Sequence, residues 1–93
     1  MINNITMPKA ALNGISIAGG PVEASATKTK IEGIEPARLN DTVGAHGDSP
    51  HNKPTVAQAS SKVIIEGIPV SRVGDAASCS HAIEGGASRT NIG

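Results

Sequence analysis

The sequence predicts a small all-β domain of short hairpins, and three observations carry that prediction. Eleven glycines and six prolines punctuate the 93 residues every few positions, which leaves room for short strands and tight turns but little for helices. The apolar segments are rich in β-branched Val and Ile, with period-2 alternation along "IPVSRV" (68–73). The chain also repeats itself: "KTKIEGIEPARLND" (28–41) aligns without gaps on "KVIIEGIPVSRVGD" (62–75) at an offset of 34, with seven identities in fourteen positions. Ninety-three residues point to one domain. "TVAQASSKV" has room for a turn or two of helix, limited by Pro54 and the β-branched run that follows.

Each repeat reads as one hairpin. Val63, Ile64 and Ile65 favour a strand, and Glu66-Gly67 is the acidic-Gly pair of a two-residue turn, where Gly supplies positive φ. The return strand places Ile68, Val70 and Arg72 on one face. Pro69 confines it to an edge, or to a ladder position that needs no N–H donor. Gly74-Asp75 then ends the strand, the Asp carboxylate folding back onto backbone N–H groups. The earlier copy runs through Glu32-Gly33 to Arg38 and Asp41 in the same way. Arg38 and Arg72 are expected to brace these loops or pair with their own Asp rather than to bind an anion. A fainter third copy is expected at "IAGGPV" (17–22), echoing "IEGIPV" (65–70), and "ASRTNIG" at 87–93 weakly resembles "SSKVIIEG".

Composition removes several function classes. Net charge is zero with no basic stripe, so no phosphate-binding surface and no nucleic-acid partner are expected. With no Phe, Trp or Tyr, base stacking is unavailable, and so is the large apolar area that aromatics bring to a core. Such a chain needs a metal, a partner surface or an oligomer for stability. A single cysteine cannot close an internal disulfide. Asn3 and Asn4 stand where a basic n-region would lie, so no cleaved signal peptide is expected, and no apolar run approaches membrane-spanning length.

The chemistry-bearing residues fall at matching places. After Asp41 the chain runs "TVGAHGDSPH" and offers His46 and His51; after Asp75 it runs "AASCSH" and offers Cys79 and His81. Three imidazoles and one thiolate satisfy a tetrahedral zinc ion with nothing left over. Taken singly, a lone cysteine is usually a small buried hydrophobe and loop histidines are usually solvated. The shared position after each repeat favours one joint metal site. His51 is the member that a water or Asp48 would replace. A zinc hydrolase with Glu66 or Glu84 as general base would need an open coordination position, and four protein ligands leave none. A metal-free β adaptor is the other alternative, under which Cys79→Ser would leave stability untouched.

"PVSRVGD" (69–75), its variant "EPARLND" (35–41) and the Cys/His-bearing loops after them resemble the PAAR-repeat proteins. The resemblance covers residues 31–93; residues 1–30 form an N-terminal segment with an extra hairpin, within one domain. It implies a small cone-shaped all-β fold with pseudo-three-fold character and a metal-stapled apex. The implied ligands are His46, His51, Cys79 and His81, holding one zinc ion per chain, with iron as the alternative. It implies a non-enzymatic tip that caps and sharpens a trimeric β-helical spike and assists membrane puncture. The setting would be the phage baseplate, and so the virion, or a type VI secretion spike that is secreted with its tip. Under this reading the base should present uncovered Ile, Val and Leu to the spike.

Overall fold

The computed structural model describes residues 8–49 and 51–93, and among them there is no helix. Four two-residue strands are regular enough to name: β1 (Val22–Glu23), β2 (Thr42–Val43), β3 (Ile64–Ile65) and β4 (Ile68–Pro69). The remaining pairing comes as single antiparallel bridges. Three hairpin units pack around one axis.

The axis is drawn by backbone hydrogen bonds. The amide of Ala11 donates to Ser71 O (3.1 Å), that of Ser71 to Ala37 O (2.9 Å), and that of Ala37 to Ala11 O (2.9 Å). All three residues are fully buried, and only small side chains fit where three strands meet. The cross-strand bridges obey the same rotation: Leu12 with Pro36, Arg38 with Val70, Arg72 with Ala10. Ala37 and Ser71 are equivalent in the sequence repeat. The third member is therefore Ala11, and the third copy begins near Pro8. This corrects the expectation that it lies at 17–22.

Each unit then makes a turn with one residue at positive φ: Gly14 (71°), Asn40 (71°) and Gly74 (97°). Their amides donate to Val22 O (2.9 Å), Val56 O (2.9 Å) and Ile83 O (2.8 Å). After the turn, each unit sends out a hairpin arm, over 16–22, 42–56 and 76–83. The arms pair with one another in a ring. β1 of the first arm pairs with β2 of the second, Val22 opposite Val43; Val56 of the second faces Ala77 of the third, and Glu84 after the third returns to Ile17 of the first. Inside lies an apolar cluster that includes Val22, Val43, Val56, Ala77 and Ile83.

At the opposite end, β3 and β4 form the expected hairpin, Ile65 opposite Ile68. Glu66 (φ 53°) and Gly67 (φ 81°) make its turn, and Glu32 (55°) and Gly33 (82°) repeat it between Ile31 and Ile34. Two consecutive positive φ values are the type I′ geometry. Pro69 takes the ladder position that needs no donor: its carbonyl accepts from Leu39 N at 2.9 Å. The third base hairpin is assembled from distant parts of the chain. Lys9 bridges Asn91, Ala10 N donates to Thr90 O (2.9 Å) and Ile92 N to Pro8 O (2.8 Å). "ASRTNIG" (87–93) thus stands where "SSKVIIE" (60–66) stands in the third unit, Thr90 in the place of Val63. Ala10, Leu12, Val70, Ala87 and Ile92 form a second apolar cluster here, with Ile31, Ile34, Val63 and Ile65 packed half-buried against it.

The repeated charges brace this frame in two ways. In both repeats the Arg amide donates to the Asp carboxylate, at 2.7 Å for Arg38 and 2.9 Å for Arg72. Arg72 also pairs its guanidinium with Asp75 through Nε (3.0 Å) and Nη2 (2.9 Å), and that hydrogen bonding raises its pKa. Arg38 is buried and reaches elsewhere. Its Nη1 donates to the carbonyls of Ile65 (3.2 Å) and Glu66 (3.3 Å), and its Nη2 to Ser25 Oγ (2.8 Å), while Asp41 accepts from Ser25.

Candidate metal centre

The four sequence-predicted residues meet at the tips of the arms. The second arm supplies His46 and His51 and the third supplies Cys79 and His81; one ligand-type atom from each lies within 4.8 Å of all the others. Cys79 Sγ is 3.6 Å from His46 Nε2, and His51 Nδ1 is 3.1 Å from the same nitrogen. The three imidazole centroids are 4.8–5.0 Å apart and mutually tilted, so the rings face a common point instead of stacking.

Local structure aims these donors. The amides of His46 and His51 donate backbone bonds that close the loop: His46 N to His51 O (2.9 Å) and His51 N to Asp48 O (2.7 Å). Asp48 thus enters the loop through its carbonyl, and His51 stands in the four-residue group. In the third arm, Ala77 N donates to His81 O (2.9 Å) and Ser80 N to Ala77 O (2.9 Å). Ser80 sits at φ 76°, a conformation that costs a non-Gly residue energy and here swings Cys79 inward and His81 across from it. Cys79 is buried, the first two histidines are half-buried and His81 is exposed.

The arrangement suits one ion. Donors 2.0–2.3 Å from a tetrahedral zinc would be about 3.3–3.6 Å apart; the separations of His46 Nε2 from Cys79 Sγ and His51 Nδ1, 3.6 and 3.1 Å, lie near that edge. His46 Nδ1 lies 2.9 Å from Gly44 O. An N–H there leaves Nε2 with its lone pair free for a metal, as in a ligating imidazole whose other ring nitrogen donates to a backbone carbonyl. His51 Nδ1 and Cys79 Sγ both approach His46 Nε2, so two imidazole nitrogens and a sulfur converge on one point, as ligands of a shared cation would. With four protein donors, the group has the make-up of a closed structural site rather than a catalytic one with a vacant position.

The ring also uses residues that sequence reasoning did not single out. The first arm brings Ala18-Gly19-Gly20 to the same tip and contributes no donor; Ala18 O lies 4.0 Å from Cys79 Sγ. The sequence signals were the faint "IAGGPV" (17–22) echo of the repeat and its pair of adjacent glycines before Pro21. No curated protein matches the chain. Over residues 46–93, just over half of its length, the sequence matches the PAAR motif. That stretch opens on His46 and holds all four donors, both later arm tips and the "PVSRVGD" unit, so the chain belongs to the PAAR-motif family.

Proposed function

We propose that this protein is the metal-stapled tip of a contractile injection machine. In this reading His46, His51, Cys79 and His81 hold one zinc ion, and the opposite end seats on a trimeric β-helical spike. The observation that carries it is the closed three-unit ring with a His₃Cys group at one end only. The family match supports a spike-tip role in contractile injection systems, of phage or of type VI secretion. The base supports the docking end: Ile64 is 61% exposed there, beside the half-buried Ile31, Ile34, Val63 and Ile65. A pseudo-three-fold face is also what a three-fold spike end would accept, one tip per trimer.

The ion supplies structural energy at a point too narrow for a hydrophobic core; a structural zinc is worth about 10–16 kcal/mol in small peptides. His46 and Cys79 tie the second arm to the third, and the residues between the donors keep them converging. The role is mechanical. A sharp, tied tip assists the puncture of a target membrane and needs no vacant coordination position, which is why we set the hydrolase reading aside.

Elemental analysis of the purified full chain should give one zinc per chain, and native mass spectrometry with the cognate spike one tip per three spike chains. Cobalt substituted for zinc should show bands that do not change on adding azide. A metal-free chain, or an azide-sensitive cobalt site, would overturn the assignment.

A further inference from the structure

Two glycines of the arm without ligands lie against the metal centre, Gly19 at the His46 ring and Gly20 at the Gly44 carbonyl that faces that ring. A Cβ built on Gly19 would lie 2.3 Å from His46 Nε2, 2.6 Å from Cδ2 and 2.8 Å from Cε1. These three distances put it over the face of the ring, above the donor nitrogen, rather than in line with the lone pair. A Cβ on Gly20 would lie 2.2 Å from Gly44 O, and that carbonyl is the one facing His46 Nδ1 at 2.9 Å. One dipeptide therefore packs on both the ring and the group that orients it.

We propose that Gly19-Gly20 is the positioning element of the metal centre: the first arm sets the plane and depth of the His46 imidazole. The inference rests on the reading of the four residues as a metal site. An ordinary contact begins at 3.4 Å, so a methyl at Gly19 must push Nε2 away by about 1 Å, whereas metal–donor distances tolerate about ±0.2 Å. The first arm thereby takes part in the centre as fully as the arms that carry donors. Its tip is small because the second arm's imidazole occupies the space a side chain would need.

The test compares full-length variants loaded with cobalt(II) in place of zinc, read by the d–d and thiolate charge-transfer bands and by competition against a chromophoric chelator. Gly19 sits at φ +87° and Gly14 at φ +71°, but nothing lies within 4 Å of a Cβ at Gly14. Gly14→Ala therefore reports backbone strain alone and should keep the wild-type spectrum and affinity. Gly19→Ala and Gly20→Ala should weaken cobalt affinity about 10–100-fold, as loss of an outer-shell support does, and alter the d–d bands. Wild-type bands and affinity in both variants would overturn the proposal. If Gly19→Ala fails to fold, the double variant Gly19→Ala/His46→Ala decides. Recovery of folding once the ring is gone supports the clash; a double variant that stays unfolded while His46→Ala and Gly14→Ala fold overturns it. A wild-type chain that takes up no cobalt or zinc overturns both this inference and the metal reading, whereas a loaded wild type with indifferent Gly19 and Gly20 variants overturns this one only.

Discussion

Glu32 shows how much a single side chain does in a molecule with few large ones. At φ 55° it occupies a turn position better suited to Asn or Gly, and its carboxylate explains why Glu is there. It accepts from Arg89 N (2.8 Å), Ser88 N (3.1 Å), Ser88 Oγ (2.9 Å) and Thr90 Oγ1 (2.9 Å). Led by the Arg89 amide, these bonds lower its pKa from 4.5 to about 2. Glu66 repeats the contact one unit on, accepting from Lys28 N at 3.0 Å; although desolvation pushes it up, the Lys28 amide and the bonds from Thr29 and Thr27 hold it below the ordinary value. A carboxylate lowered by folding contributes stability above its ordinary pKa, and that contribution disappears as the pH falls toward the folded value. Wild-type stability should therefore drop more steeply than that of Glu32→Gln between pH 4.5 and about 2. The two should converge below that window, as acid-dependent thermal melts would check.

Among the elements, the two Arg-x-x-Asp turns share one backbone bond, Asp N to Arg O at 3.0 Å in each, and have different duties. Arg72 spends its guanidinium on Asp75, part-exposed, whereas buried Arg38 ties the second unit to the Glu66-Gly67 turn of the third. Arg38→Ala should cost about 2–4 kcal/mol, since charge-assisted bonds from a buried group are lost together. Arg72→Ala should cost about 1 kcal/mol or less, in line with partly exposed pairs. Urea melts of both variants measure the contrast, and equal losses would contradict it. The sequence made the turns, the Glu-Gly hairpins and the arm tips legible because positive φ and ligand chemistry restrict residue choice. It hid the first unit, where Leu12 replaces the Arg and Ser16, one residue later, replaces the Asp; Leu12 N donates to Ser16 Oγ at 2.9 Å. Any small residue satisfies the axis, so Ala11 left no trace in the pattern.

At the scale of the whole molecule, stability has two separate sources. The base and axis hold by packing and backbone bonds, while on the proposed metal reading the arm tips depend on an ion held by the His and Cys group. Removing the metal with a strong chelator should lower the melting temperature by more than about 20 °C, since each kcal/mol shifts a domain of this size by about 4–8 °C. Amide exchange should then rise first over 44–53 and 78–82, with Ala11, Ala37 and Ser71 protected longest. Uniform loss of protection would mean the two ends are one cooperative unit.

The three arms share a rotation but not a chemistry, since one of them carries glycines where the others carry imidazoles. A body of that kind, set on a truly three-fold support, has three equally good seatings and no means of choosing among them. Averaging images about the three-fold would therefore blend the glycine arm with the histidine arms. Only reconstructions that leave each particle its own orientation would show where the donor atoms stand.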